Sequence, residues 1–107
     1  MIFCLATAVY NESRNQPEVT QLAVMSVVMN RGSDPCKTIL EPHQFAFVKK
    51  GRIPPVKEPK TFKKIQKLVR EGRPNLSKKY TFFNELRLGV RYKTDAKPVR
   101  LGKLIFY

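Results

Sequence analysis

Residues 2–10, Ile2-Phe3-Cys4-Leu5-Ala6-Thr7-Ala8-Val9-Tyr10, form an almost unbroken apolar run, and a second apolar stretch follows after a short polar interval. The run falls well short of the ~20 residues that a membrane-spanning helix needs. Its apolar positions cover nearly the whole circumference of an α-helix, so a helix over residues 2–13 has to be buried on all sides. That makes it the centre of the fold and requires other elements to surround it. Asn15, Gln16 and Pro17 break the helix, and Pro17 suits the first turn of a second one, where its missing amide costs nothing. Leu22, Val24, Met25, Val27, Val28 and Met29 make the second helix strongly apolar. Gly32 follows as an expected left-handed stop.

Asp34 and Pro35 begin a short third helix through Leu40, ended by Pro42. Residues 43–59 read as a small hairpin or extended loop around the turn Lys49-Lys50-Gly51-Arg52. Phe62, Ile65, Leu68 and Val69 give an amphipathic fourth helix stopped by Gly72 and Pro74. Its Lys63, Lys64, Lys67 and Arg70 form a basic outer face. Tyr80-Thr81-Phe82-Phe83 and Leu104-Ile105-Phe106-Tyr107 read as two short strands, with an irregular basic stretch between them. Helices followed by strands predict an α+β fold, mostly helical with a small antiparallel sheet. With 107 residues and no linker, one domain over residues 1–107 is expected.

Lys and Arg number 21 against 8 Asp and Glu, a net charge of +13. Such an excess attracts anionic polymers. Nucleic acid, teichoic acid, lipopolysaccharide phosphate and peptidoglycan carboxylates all qualify, as does a solvated basic surface with no specific partner. The hydrophobic fraction of 42% argues against disorder. The first residues lack a basic flank and a small-residue cleavage site, so no Sec signal is expected. Cys4, Cys36 and the single His43 are too few for a thiolate metal site. The two cysteines read equally as a disulfide, which requires work outside the cytosol, or as two buried free thiols. His43 reads as an exposed loop residue rather than a catalytic base.

Glu12 stands where the first helix meets its polar turn. One reading is a half-exposed glutamate with no role. The other is chemical: apolar surroundings and the negative end of the helix dipole both disfavour the carboxylate. An acid kept protonated at neutral pH is what general acid catalysis of glycosidic cleavage requires.

Several motifs in order extend this second reading. Ala8-Val9-Tyr10-Asn11-Glu12-Ser13-Arg14-Asn15-Gln16-Pro17, Gln21-Leu22-Ala23-Val24 and Val28-Met29-Asn30-Arg31 resemble the opening of the spore-cortex-lytic type of cell-wall hydrolase. Gln44-Phe45, Thr81-Phe82-Phe83-Asn84 and Gly102-Lys103-Leu104-Ile105-Phe106-Tyr107 are similar to that family's later motifs. The resemblance runs over essentially the whole chain. It implies a lysozyme-like domain that cleaves peptidoglycan between N-acetylmuramic acid and N-acetylglucosamine. Glu12 falls at the family's catalytic glutamate. Many members are similar to lytic transglycosylases, and no metal or organic cofactor is implied. Members often carry cysteines at the places of Cys4 and Cys36, which favours the bridge. Asn15, Gln16, Phe83 and Leu104 depart from the pattern, which has Gly, Glu, Tyr and His there.

A second carboxyl would be needed for a muramidase of the two-acid kind. Local spacing forces none of the other acids near Glu12, and Glu18 suits the positive start of the second helix. One acid suffices for a transglycosylase. Gln21 is expected to face back toward Glu12 and to orient the carboxyl or a sugar N-acetyl group, or else to lie on the helix surface. Phe45, Tyr80 and Phe82 are candidates for stacking on sugars, or for core. Thr81 and Asn84 are hydrogen-bonding candidates. The expected partners are peptidoglycan and an anionic envelope surface, without specific nucleic acid, for a monomer. Small size, basicity and the absence of a Sec signal suggest a bacteriophage endolysin held in the host cytoplasm until the membrane is permeabilised. The alternatives are a basic nucleic-acid-binding module and an inactive wall-binding domain.

Overall fold

Burial all round the first helix organises the molecule. The computed structural model describes residues 2–42 and 44–107, so the expectation for His43 lies outside the described residues. α1 spans Ile2–Ser13, and every residue from Leu5 to Tyr10 is buried. It is covered by α2 (Glu18–Arg31), α3 (Pro35–Leu40) and α4 (Pro59–Glu71). Val9, Val24, Val27, Val28 and Ile39 fill the space between them with no exposure. Each such side chain contributes roughly 1.5–3 kcal/mol. Phe62 of α4 packs edge-on against the Tyr10 ring, with centroids 5.4 Å apart. The outer face of α4 leaves Lys63, Lys64, Lys67 and Arg70 exposed. No helix among the described residues is long and apolar enough to cross a membrane.

Local chemistry sets the helix ends. Pro17 stands one residue before α2, and Glu18 opens its first turn. The Asp34 side chain accepts from the Cys36 and Lys37 amides, which caps α3. Gly32 does stop α2, but not in the left-handed form. Its φ of 177° is extended backbone. What Gly32 supplies is space, because a Cβ there would lie 2.8 Å from Thr38 Oγ1. A disulfide joins Cys4 to Cys36 with the Cα atoms 5.0 Å apart, tying α1 to α3. Lys49 and Arg52 bridge across a two-residue turn, the small hairpin of the 43–59 segment.

The sheet has three strands rather than two. β1 (Phe83–Glu85) and β2 (Val99–Leu101) both pair antiparallel with the central β3 (Leu104–Phe106). β2 lies in the stretch read as irregular. It joins β3 through Gly102 and Lys103, with Gly102 at φ 58°, as short hairpin turns require. β1 starts later than expected. Tyr80 and Thr81 precede it, although the Thr81 and Phe82 amides still donate to the Tyr107 carbonyl. The register sets Asn84 opposite Ile105 and Glu85 opposite Leu104. The result is an α+β fold with the sheet edge facing the C-terminal end of α1.

Candidate active site

Glu12 lies in the last turn of α1, and that turn is held from several sides. Ser13 Oγ donates to the Val9 carbonyl at 2.8 Å. Gln21 Nε2 reaches back across the turn to the Ser13 carbonyl at 3.1 Å and to that of Arg14 at 3.4 Å. Arg14 pairs with Glu58 at 2.7 Å and lies over the Tyr10 ring. The Tyr10 hydroxyl accepts the Glu58 amide at 2.8 Å. Carbonyls freed at a helix end thus find donors inside the protein.

Across from this turn, the strands complete a groove of three adjoining chambers. The first, about 670 Å³, lies between Glu12 and Gln16 on one side and Glu85, Arg87, Lys103 and Leu104 on the other. The second, about 420 Å³, is bounded by Glu12, Arg31, Phe45, Phe83, Asn84 and Leu104. The third, about 370 Å³, continues from Arg31 and Asn84 to Phe82, Arg91 and Tyr92. Glu12, Glu85 and Leu104 line both of the first two chambers. Glu12 therefore faces a groove open on either side of it, on the scale of sugar-sized ligands.

Burial raises the Glu12 carboxyl from 4.5 to about 7, while the charge of Arg31 pulls it back. Desolvation dominates because the carboxylate would lose water without gaining an ion pair. Leu104 is buried beside it. The acid is thus about half protonated at neutral pH and can donate. Once it has given up the proton, Arg31 favours the anion.

Arg31 entered the sequence reading only as the end of the Val28-Met29-Asn30-Arg31 motif, with no role of its own. Its Nε donates to the Thr81 carbonyl at 2.7 Å. Its guanidinium lies 5.0 Å from the Phe45 ring centroid and 5.6 Å from that of Phe82. Burial lowers its proton affinity, and Glu12 is the first charge that restores it. The available signal was a lone cation closing an otherwise apolar helix.

The structure brings Phe45, Phe82 and Asn84 to the groove and leaves three other candidates outside its lining. Gln21 faces back across the turn, but its amide nitrogen is taken by the two helix-end carbonyls. Tyr80 donates its hydroxyl to the Lys97 carbonyl at 2.6 Å. Thr81 serves through its carbonyl, as the anchor of Arg31. Asn84 donates to the Gly89 carbonyl at 2.8 Å and accepts from the Tyr107 hydroxyl, so both ends of its amide are engaged. Gln16, where the resemblance places a second glutamate, accepts the Lys103 amide at 2.9 Å. That bond ties the α1–α2 turn to the β2–β3 turn. Among the described residues no cluster of His, Cys, Asp and Glu could hold a metal ion.

Fold and groove together define a small α+β protein with a half-buried acid, Glu12, where two chambers of the groove meet. The chain belongs to the cell wall hydrolase family, of the spore-cortex-lytic type, whose model matches residues 15–107. Membership carries degradation of cell-wall peptidoglycan as the activity. The match begins just beyond Glu12, so the standing of that residue rests on the geometry above. No curated protein and no solved structure matches the chain.

Proposed function

We propose that the chain cleaves the glycosidic bond between N-acetylmuramic acid and N-acetylglucosamine, with Glu12 as general acid and then base, in the manner of a lytic transglycosylase. One observation carries this reading: a carboxyl raised to about 7 by burial, at the junction of two chambers of a groove. Glu12 gives its proton to the leaving oxygen as the glycosidic bond breaks. The carboxylate then takes the proton of the muramic acid C6 hydroxyl, whose oxygen bonds to C1 and closes a 1,6-anhydro ring. Glu12 ends the cycle protonated, and no water is consumed. The nearby Arg31 charge steadies the anion between the two steps.

A second reading has its own support. Glu85 lines both chambers that Glu12 lines, and it pairs with Arg87. A carboxylate there could activate water, which would make the enzyme a muramidase that hydrolyses the same bond. Mass spectrometry of fragments released from purified peptidoglycan separates the two, because anhydro and hydrated ends differ by one water. Anhydro ends support the transglycosylase, and hydrated ends lost with Glu85→Gln support the muramidase. Glu12→Gln should lose ~100- to 10,000-fold or more of either activity. Wild-type rates from that variant at neutral pH, with the same products, overturn both readings.

The exposed cations of α4 suit an anionic envelope as the surface on which the enzyme works. The Cys4–Cys36 bridge suits action outside a reducing cytosol.

A further inference from the structure

The three chambers differ in charge. Glu12 and Glu85 line the first two. The third holds two guanidinium groups, Arg31 and Arg91, and no carboxylate. Arg31 is half-buried, and among the described residues it makes no ion pair. Its Nε is taken by Thr81, while its Nη1 lies 3.5 Å from the Gln44 carbonyl, at the limit of a hydrogen bond. While Glu12 holds its proton, this shielded cation has no carboxylate facing it, and an anionic ligand lowers the cost of its desolvation.

The chamber is also preformed. The Arg91 amide donates to the Tyr107 hydroxyl at 3.0 Å, and Asn84 holds the Gly89 carbonyl. Tyr92 stacks on Phe82 at 4.9 Å between centroids, and Phe82 stacks in turn on Tyr107. The Arg91 backbone and the Tyr92 ring are thus fixed at the open end, and both residues are exposed there.

We propose that this third chamber binds a free carboxylate of the peptide stem carried by muramic acid, with Arg31 and Arg91 as its cationic partners. The proposal rests on the glycosidic reading, which places the stem-bearing sugar beside Glu12. With its lactyl carboxyl amide-linked to the stem, muramic acid is neutral, so the sugars offer no anion to the two guanidinium groups. The stem leaves the sugar through its lactyl ether and supplies carboxylates next to the bond being cut. A phosphate polymer attached at C6 is the poorer fit, because ring closure needs that hydroxyl free. The enzyme should therefore prefer glycan with free stem carboxylates to glycan whose stem carboxylates are capped as amides.

The test compares cleavage of purified peptidoglycan strands with cleavage of the same strands whose stem carboxylates have been converted to neutral amides with a carbodiimide and ammonia, at one fixed ionic strength. Wild-type enzyme should cut the uncapped strands about tenfold faster than the capped ones, the scale of one charge-assisted hydrogen bond. Arg91→Ala should bring the ratio close to one. Lys67→Ala removes the same charge on α4, far from the groove, and should leave the ratio as in the wild type, whatever it does to both rates. Equal wild-type rates on the two substrates, or an equal effect of the two variants on the ratio, overturn the proposal and leave the glycosidic reading standing. Release of peptides in place of disaccharide fragments would instead overturn the glycosidic reading.

Discussion

Replacing Glu12 with glutamine should make the cost of burying the acid visible as stability. In the unfolded chain Glu12 ionises near 4.5, whereas in the folded chain it keeps its proton until about 7. Between those values the folded state binds the extra proton. Stability therefore falls as pH rises through this window, and the loss is complete above about 7. At 1.36 kcal/mol per tenfold change in proton affinity, the penalty is about 3 kcal/mol. Glutamine keeps the shape and has no charge to bury, so the variant escapes the penalty. Melting curves of both proteins between pH 4 and pH 8 would show it. The variant should gain on the wild type by roughly 12 °C or more across the window, since 1 kcal/mol shifts a domain of this size by ~4–8 °C. The difference should then level off. Activity should move the opposite way: the wild type should show a basic limb near pH 7, and the variant should be inactive throughout. A melting difference that stays flat from pH 4.5 to 8 would mean that Glu12 titrates as an ordinary surface acid. The argument for it as general acid would then fail.

Three further outcomes are expected. Lysis of purified walls should fall steeply with added salt as the Debye length drops below ~8 Å; a flat profile up to molar salt would remove any steering role for Lys63, Lys64, Lys67 and Arg70. Reducing the Cys4–Cys36 bridge opens a loop with a sequence separation of 32 and should cost about 3.5 kcal/mol on the chain-entropy model, read as a lower melting temperature; an unchanged melt in reductant, with both thiols confirmed free, would refute it. Gln16→Glu keeps an acceptor for the Lys103 amide but sets a second negative charge in the Glu12 chamber, so the basic limb of the pH–rate profile should move upward; no movement would show that the two side chains are screened from each other.

The helices were legible because their signals are local. The apolar run in α1, Pro17 before α2, the Asp34-Pro35 cap and the spacing of Phe62, Ile65 and Val69 each act within a few residues. β2 was harder to see. Val99-Arg100-Leu101 has only three residues, and its pairing partner lies across a turn. The Gly102-Lys103 pair between branched residues was the available hairpin signal. In the site, the place of Glu12 and its desolvation follow from the end of a buried helix meeting a turn. Arg31, Glu85 and Tyr92 come to the groove only through the packing of α2 against the strand region and through sheet register, which no local spacing encodes. Gly32 was placed correctly as a stop but for the wrong reason, since contact with Thr38 is a tertiary fact.

Arg31 joins two properties that most small enzymes can vary separately. The same guanidinium holds the Thr81 carbonyl, lies over the Phe45 and Phe82 rings, and sets the field at Glu12. A substitution there alters both architecture and acidity, so mutations that adapt one will drag the other with them. Diversification of this groove is therefore expected along its rim, at the exposed Arg87 and Arg91, where a new side chain meets a new substrate without disturbing the scaffold.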